Sequence, residues 1–364
     1  MLTPPTWEKL VYRQLDPSPQ DHLWHQEGSV GIHTRMVVKE MLAHPNFAKL
    51  SLIEQDLLYR AALLHDLGKP SCTQQEDGRI RNRGHSRKGA ILSRSLLYGE
   101  GYEPRLREHL CALVRSHTTP MHAVSDSHED VQMRVLRASL GLRCDWLTML
   151  AESDNKGRIS SEPKDQFNFN IDYFSELTKE LGCESRPYPF PSDHSRFLYF
   201  QSSGQRQPDY KAHDDTKCEV VVMAGFPGAG KDTWIRKNLP KWPMVSLDDI
   251  RKELKLPHGS HPGPVIFKAK EMFREHLRKG QSFVFNAKNL NPDIRLPWLT
   301  LAAKYNARIR IVYLEVPLPE LLQRNKTREE SARIPEAALY GMLEKWNIPH
   351  PSEAHTVEYH FGGE

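Results

Sequence analysis

The stretch VVVMAGFPGAGK, residues 220–231, decides the fold of the second half of this 364-residue chain. It joins an apolar, β-branched run to a glycine-rich loop and to a lysine that opens a predicted helix, which is the context a phosphate-binding loop requires. Gly225, Gly228 and Gly230 let backbone N–H groups wrap phosphates, and the helix N-terminus adds a favourable dipole. Lys231 can then reach the β- and γ-phosphates of a nucleotide. The stretch therefore predicts a nucleotide site in a P-loop fold.

The residue after the P-loop lysine departs from the usual pattern. Ser or Thr normally follows, and its hydroxyl holds Mg²⁺. Here Asp232 follows, with Thr233 behind it. A carboxylate is also a good oxygen ligand for Mg²⁺. Either Asp232 binds the metal, directly or through water, or the metal site is weakened.

Further apolar runs in the second half alternate with helical stretches. The runs Val220–Ala224, Phe283–Phe285 and Ile309–Val316 are rich in β-branched and aromatic residues. Strands that alternate with helices imply a parallel sheet covered on both faces. Residues 20–185 instead repeat apolar residues at helical spacing, without a convincing alternating strand. We therefore expect an α/β fold in the second half and an all-α fold in the first.

The composition between these halves marks a boundary. Residues 186–215 are rich in Pro, Ser, Gln and Asp, as a linker would be. Aromatic residues within it, Phe197 and Tyr199 among them, suggest that part of the segment packs on a domain surface. The predicted organisation is a helical domain over 1–185, a linker over 186–215 and a P-loop domain over 216–364.

Bulk composition limits the class of protein. The five cysteines are scattered and form no CxxC pair, which argues against a disulfide framework and against a thiolate zinc site. No stretch is apolar enough for a membrane span or a signal peptide, so we expect a cytoplasmic protein without membrane partners. The net charge of +4 fits a polyanionic partner but does not identify one.

Acidic and basic residues follow the P-loop in a suggestive order. Asp248 comes just beyond the apolar run Met244–Leu247, where ligands bind at the carboxyl end of a strand. A carboxylate there can take a proton from an alcohol nucleophile, although acids also favour any helix N-terminus. Arg251 is close in sequence, and Arg324 and Arg328 share a helical face four residues apart. Such arginines neutralise a transferring phosphoryl group, although a solvated basic face is the commoner meaning of one pair.

These segments together resemble the polynucleotide 5′-kinases of bacteriophage type, over most of residues 218–345. The family pattern GxPGxGKST-W, (N/R)-DD-x-R, D-x-N-L-N-P and R-N-x-x-R is matched in order by GFPGAGKDTW, SLDDIR, NAKNLNP and RNKTR. The resemblance implies ATP with Mg²⁺ as cofactor and Lys231 as a ligand of the ATP phosphates. It implies Asp248 as general base on a 5′-OH, and Arg251 as a clamp on the acceptor's 3′-phosphodiester. Arg328 and Arg324 would act from the lid.

Two positions depart from that family. Asp232 stands in place of the P-loop Ser, and Ala287 stands where the family has an acidic residue near Mg²⁺. Our hypothesis is that they compensate each other, one carboxylate being lost at a strand end and one gained in the P-loop.

The first half carries an ordered set of histidines and carboxylates. The candidate metal ligands are His33, His65, Asp66, His85, His117 and Asp154. Histidine with carboxylate suits a borderline divalent metal such as Zn²⁺, Mn²⁺, Co²⁺ or Ni²⁺, which would activate a water and polarise a phosphoryl oxygen. The alternative meaning of any one such histidine is a structural role with satisfied hydrogen bonds.

This set resembles the HD phosphohydrolase superfamily over about residues 22–160. The ligand pattern H…HD…(H…H)…D is accompanied by WHQEGSVGIHT, LLHDLGKP, NRGHSRKGA and AESDNKGR. The resemblance implies an all-α HD-type domain whose metal site holds His33, His65, Asp66 and Asp154. His85 and His117 would complete a second metal site or contact the scissile phosphate. Lys69 would neutralise substrate charge.

The two halves together resemble the bacterial HD–polynucleotide-kinase end-healing family. The resemblance implies a bifunctional enzyme that phosphorylates 5′-OH ends of RNA or DNA and removes a 2′,3′-cyclic phosphate or a 2′/3′-phosphate. A nucleic acid ligase would act on the healed ends. Two alternatives stay open, a small-molecule kinase fused to a nucleotide phosphohydrolase and a non-catalytic regulator that binds ATP and RNA.

Overall fold

The chain folds into two compact units, Met1–Pro189 and Phe190–Glu364, in a computed structural model. The structure describes residues 4–124, 128–257, 261–330 and 333–362. The first unit is helical, and the second is an α/β unit with a parallel sheet, so the predicted fold class is confirmed. None of the helices in the described ranges is long and apolar enough to cross a membrane.

The first unit is built from nine helices and one short hairpin within the described residues. They are α1 Glu8–Leu15, α2 Val30–Ala43, α3 Leu52–Leu64, α4 Lys69–Cys72, β1 Gln74–Glu76, β2 Arg79–Arg81, α5 His85–Gly99, α6 Pro104–Ser116, α7 His128–Ser139, α8 Cys144–Lys156 and α9 Asp165–Glu180. Short 3-10 turns lie at Phe47–Lys49 and Pro120–His122.

Helix α3 shows how capping residues and apolar residues at helical spacing define a helix in this unit. Ser51 and Glu54 form a capping box that satisfies free backbone N–H groups at its start. Leu57, Leu58 and Leu64, at helical spacing, are fully buried. The apolar face thus fixes the rotation of α3, and the helix ends directly before the histidine that follows it.

The hairpin β1–β2 departs from the all-α expectation for this half. Its strands pair antiparallel over three residues each, joined by Asp77 and Gly78 with φ of 49° and 74°. Positive φ at both turn positions matches a type I′ turn, for which Asp-Gly is a favoured pair. The strands are too short and polar to show an alternating pattern, so only the Asp-Gly pair could have indicated them.

The second unit contains a five-stranded sheet with flanking helices. Its elements are α10 Asp193–Gln201, β3 Cys218–Gly225, α11 Lys231–Asn238, β4 Met244–Ser246, α12 Leu247–Glu253, α13 Gly263–Arg278, β5 Phe283–Asn286, α14 Pro292–Ala303, β6 Ala307–Glu315, α15 Leu318–Lys326, α16 Glu336–Leu343 and β7 Thr356–Phe361, with a 3-10 turn at Pro351–Glu353.

The strands run parallel in the order β4-β5-β3-β6-β7. The register aligns Ser246, Asn286 and Met223 in one row across β4, β5 and β3. The loops that follow these three strands therefore leave the sheet side by side, which is where an open α/β sheet binds its ligands.

Much of the predicted linker belongs to the second unit. Helix α10 lies within it, and Phe197 stacks on His355 with ring centroids 4.1 Å apart. Ile309 N–H donates to Nδ1 of His355, so the other ring nitrogen donates to Nδ1 of His194 over 3.0 Å. The aromatic residues and His194 of this segment thus act as packing residues, as its aromatic content predicts.

Candidate active sites

Helix ends in the first unit gather the predicted metal ligands. His33 comes from α2, His65 and Asp66 from the end of α3, His85 from the first residue of α5, His117 from the end of α6 and Asp154 from α8. All are buried except His85, which is half-buried. Polar residues from several helices therefore lie close together in one buried cluster.

Three of the histidines are held in the same way. The Nδ1–H groups of His65, His85 and His117 each donate to the backbone carbonyl three residues earlier, over 2.7, 2.8 and 2.8 Å. This hydrogen bond fixes the tautomer of each ring. It leaves the lone pair of Nε2 free to bind a metal ion. It is the arrangement that a metal-ligating histidine needs.

Asp66 lies between two pairs of histidines. Its Oδ2 is 3.8 Å from Nε2 of His33 and 3.2 Å from Nε2 of His65. Its Oδ1 is 3.5 Å from Nε2 of His85 and 3.7 Å from Nε2 of His117. Each group of three is compact enough to hold one ion, and Asp66 is common to both. The residues therefore fit one or two divalent metals, with Asp66 as a shared ligand.

Unsatisfied atoms support this fit. Nε2 of His65 and Oδ1 of Asp66 are buried and make no hydrogen bond. Leaving buried polar atoms unpaired costs free energy, so such atoms call for an explanation. Asp154 completes the set, with Oδ1 3.0 Å from Nε2 of His33. Nitrogen and carboxylate donors of this kind suit Zn²⁺, Mn²⁺, Co²⁺ or Ni²⁺.

The charge states also suit metal ligation. Burial, together with the neighbouring His85, lowers the pKa of His117 to about 3, so this ring is neutral. Burial alone would raise the pKa of Asp66, but Lys69 and His65 outweigh it and hold that pKa well below its usual range. The ammonium of Lys69 lies 2.7 Å from Oδ2 of Asp66. His117 and Asp66 thus lack their protons, with a cation beside Asp66. Burial alone would lower the pKa of His65, but Asp66 and Asp154 outweigh it and raise that pKa, so a metal bound to His65 would displace a proton.

The P-loop of the second unit has the predicted form. Gly225, Gly228 and Gly230 have φ of 142°, 89° and 98°. A Cβ on Gly225 would lie 2.3 Å from the carbonyl oxygen of Leu314, so only glycine fits there. The ammonium of Lys231 folds over the loop and donates to two of its carbonyls, 3.0 and 2.9 Å away. Burial lowers the pKa of Lys231 to about 8.

The two predicted carboxylates of this unit, Asp232 and Asp248, lie at the same edge of the sheet. Asp232 is exposed, and its Oδ1 accepts a 2.6 Å hydrogen bond from Nδ2 of Asn286, the last residue of β5. Asp248 lies in the first turn of α12, directly after β4. Asp232 and Asp248 both raise the pKa of Lys231 against the effect of burial, so all three share one electrostatic neighbourhood.

Two of the predicted arginines, Arg324 and Arg328, lie on or near the P-loop. Arg324 donates from Nη1 to the carbonyl of Gly228 over 3.1 Å. Arg328 has a buried Nη1 without a hydrogen bond, and its charge lowers the pKa of Lys231. Arg251 lies in the last turn of α12. The hydroxyl of Thr233 accepts a 3.3 Å hydrogen bond from Nη2 of Arg236. The structure thus brings Arg324 and Arg328 to the nucleotide site.

Two families of known proteins match this chain. Residues 30–150 match the HD domain family, and residues 220–349 match a family described as an AAA domain. The chain carries an HD domain and a P-loop domain of the AAA type. A solved structure titled as a "putative kinase" from Chloroflexus aurantiacus J-10-fl is 16% identical, over 40% of this chain and 86% of that one, with a TM-score of 0.34. A likeness at that level carries no argument about either domain.

The HD domain contains functional candidates that sequence reasoning missed. Glu27 accepts from Nδ1 of His25 over 2.7 Å and lies 3.0 Å from Nδ1 of His33, so it orients a metal ligand. Arg158 has Nη2 3.1 Å from Oδ1 of Asp154. Both residues stand inside the quoted words WHQEGSVGIHT and AESDNKGR, which was the only sequence signal for them.

The P-loop domain has one such residue as well. Lys288 follows β5 beside Ala287, and its carbonyl accepts from the backbone N–H of Gly225 over 2.9 Å. Its charge lowers the pKa of Lys231, so it contributes positive charge at the nucleotide site. Its position in NAKNLNP does not by itself indicate that role.

Proposed function

We propose that this protein heals nucleic acid ends. The P-loop domain transfers the ATP γ-phosphate to a 5′-OH end of RNA or DNA, and the HD domain removes a 2′,3′-cyclic phosphate or a 2′/3′-phosphate. The observation that carries the proposal is the pairing, in one chain, of a site suited to adding phosphate with a site suited to removing it. A ligase needs a 5′-phosphate and a 3′-OH, and these two reactions together produce both.

The HD site supports phosphoester hydrolysis. His33, His65, Asp66 and Asp154, with His85 and His117 on the other side of Asp66, would hold the divalent metal. When bound, the metal supplies an acidified water and stabilises negative charge on the phosphoryl oxygens. Lys69 and Arg158, each paired with a carboxylate of the ligand set, are placed to bind further phosphate oxygens. The site therefore concentrates positive charge where negative charge develops.

The P-loop site supports phosphoryl transfer to an alcohol. Lys231 and Arg324 would bind the phosphates of ATP, and Asp232 would hold its Mg²⁺. Asp248 would accept the proton of the attacking hydroxyl, since it lies at the same sheet edge as the P-loop. Arg328 would neutralise the transferring group, and Arg251 would bind a phosphodiester of the acceptor.

A dual end assay tests the proposal. The substrate is an oligonucleotide with a 5′-OH and a 2′,3′-cyclic phosphate, incubated with labelled ATP and Mg²⁺, or with Mn²⁺, Co²⁺, Ni²⁺ or Zn²⁺ without ATP. We expect a labelled 5′ end in the first case and a 3′-OH end in the second. A labelled 5′ end beside an unchanged 3′ end would contradict the HD half. If neither end changed while small alcohols and free nucleotides reacted, the alternative of a small-molecule kinase fused to a nucleotide phosphohydrolase would replace the proposal.

A further inference from the structure

An aromatic pair lines the cleft beside the HD metal ligands. Trp24 and Phe167 are both half-buried, and their ring centroids are 5.3 Å apart with the planes tilted by 55°. The same cleft of about 630 Å³ is lined by Asp66, His117 and Asp154. Its volume falls within the range of small-molecule pockets, about 300–1,000 Å³. Metal-dependent hydrolysis of a phosphate ester does not itself require aromatic rings. The two rings can therefore have a separate role in binding the substrate.

The position of Trp24 is fixed by its backbone. Gln26 N–H donates to the carbonyl of Ile159 over 2.7 Å on one side of it. Ser161 N–H donates to the carbonyl of Leu23 over 3.1 Å on the other side. The loop that follows α8 therefore holds the Trp24 segment at two points. A ring held in this way loses little conformational freedom when a ligand stacks on it.

Arg158 connects the aromatic pair to the metal ligands. Its guanidinium lies 5.4 Å from the ring centroid of Phe167, and its Nη2 lies 3.1 Å from Oδ1 of Asp154. Its Nε is buried and makes no hydrogen bond. Phe167 also packs on the buried cluster of Met121 and Ile171. An apolar surface of two tilted rings thus lies beside Arg158, which also contacts the candidate metal ligand Asp154.

The rim of the cleft adds positive charge. Arg81 ends the hairpin, and Arg83 lies between the hairpin and His85; both are exposed. Arg83 pairs with Glu76 over 3.1 Å, so Arg81 contributes most of this charge. Aromatic rings interleaved with basic side chains are the usual means of holding single-stranded nucleic acid, since every base offers a face for stacking. A sugar phosphate without a base could pair with the arginines but would have no base to stack on the aromatic rings.

We propose that Trp24 and Phe167 form a stacking platform for the base of the terminal nucleotide whose phosphate the HD site removes. The inference rests on the proposed function for its substrate class and adds to it the element that selects a nucleotide end. Because stacking is indifferent to base identity, the platform accepts all four bases. Arg158 is then a positioning residue that joins the base platform to the reacting phosphate.

The test uses the full-length protein and a short oligonucleotide with 2-aminopurine as its 3′-terminal base. The end carries a 3′-methylene phosphonate, whose C–P bond resists hydrolysis. We expect binding to quench the fluorescence of a terminal 2-aminopurine and to leave an internal one bright. Trp24→Ala should weaken binding about 5- to 150-fold, the range set by base–aromatic stacking. Trp24→Phe should keep most of the affinity, and an abasic-ended competitor should bind weakly to wild type and to Trp24→Ala alike.

A matched control is Phe169→Ala, on the same helix two residues from Phe167, where the ring is 58% exposed and does not line the cleft. The proposal is overturned if wild type binds abasic and base-bearing ends equally, or if the Trp24 and Phe169 variants lose affinity equally. Failure of the proposed function would look different. No oligonucleotide end would then lose phosphate, while 2-aminopurine mononucleotides would still bind in a Trp24-dependent manner, which would support the platform.

Discussion

At the scale of single residues, Asp232 is the unusual residue of the P-loop, at the position where Ser or Thr normally holds Mg²⁺. Its carboxylate accepts a hydrogen bond from Asn286, the last residue of β5, which directly precedes Ala287. The charge gained in the P-loop therefore lies beside the strand end where the polynucleotide 5′-kinases that this sequence resembles have an acidic residue. This geometry agrees with the compensation hypothesis, since either carboxylate would occupy the same edge of the sheet.

We expect Asp232→Ala to raise the Mg²⁺ concentration for half-maximal kinase activity by about tenfold or more, because an oxygen ligand of the hard cation is lost. Asp232→Ser should keep much of the Mg²⁺ response, since a hydroxyl is the usual P-loop ligand. Titration of Mn²⁺ binding by electron paramagnetic resonance, with ATP present, checks the same point without turnover. Full Mg²⁺-dependent activity and unchanged Mn²⁺ binding in Asp232→Ala would end the hypothesis.

Lys231 predicts a pH dependence of ATP binding. Burial lowers its pKa to about 8, so the free protein loses this positive charge as pH rises through about 8. Phosphates favour the charged form and raise the pKa of Lys231 in the complex. Affinity for ATP should therefore be level below about pH 7 and fall by up to about tenfold per pH unit above 8, with proton uptake on binding. Calorimetry in two buffers of different ionisation enthalpy measures that uptake. Lys231→Arg should abolish it, because guanidinium stays charged; uptake that persists in this variant would assign the proton to another group.

At the scale of elements, the sequence predicted what periodicity and motif context determine. Strand β3, the P-loop and α3 follow directly from apolar spacing and glycine positions. The sharing of Asp66 between two histidine pairs could not be predicted, because sequence spacing within helices does not determine the distance between them. The proposed pairing of Trp24 with Phe167 could not be predicted for the same reason, since the two residues are far apart in sequence although their rings are in contact.

The close approach of α4 and α5 positions the HD site. A Cβ on Gly68 would lie 2.0 Å from the carbonyl oxygen of His85 and 2.5 Å from the backbone nitrogen of Gly89. We expect Gly68→Ala to push α5 away and to displace His85, at a cost of about 1–3 kcal/mol in stability of the HD domain. Metal affinity, measured by competition with a chelating dye, should fall, while kinase activity stays near wild type and shows that the chain is folded.

Gly99→Ala is the matched control for that change. Gly99 ends the same helix, and a Cβ there would meet nothing within 4 Å. This variant should bind metal as wild type does, and its helix should be neutral or slightly more stable, since alanine favours helix over glycine. Equal metal affinity in both variants would show that the α4–α5 approach does not position His85.

At the scale of the whole molecule, the chain divides its chemistry between its two units. The six metal-ligand candidates of the HD domain all lie in Met1–Pro189, and the P-loop with Lys231 and Asp248 lies in Phe190–Glu364. Each site draws its ligands and charges from its own unit. The separate cores could be anticipated from the change in periodicity near residue 219. The aromatic residues of 186–215 also indicated that part of this segment packs on a domain, but its polar composition gave no sign of helix α10.

Two substitutions test whether the activities are separable. Lys231→Ala should lower 5′-kinase activity by at least about 100-fold, as expected for loss of a charge that binds the transferring phosphates, and should leave phosphate removal unchanged. His65→Ala should do the reverse, because it removes a metal ligand whose Nε2 is buried at the centre of the HD site. The dual-ended oligonucleotide reports both activities in each variant. Circular dichroism of both variants establishes that they are folded; loss of both activities from one folded variant would mean that the two sites depend on each other.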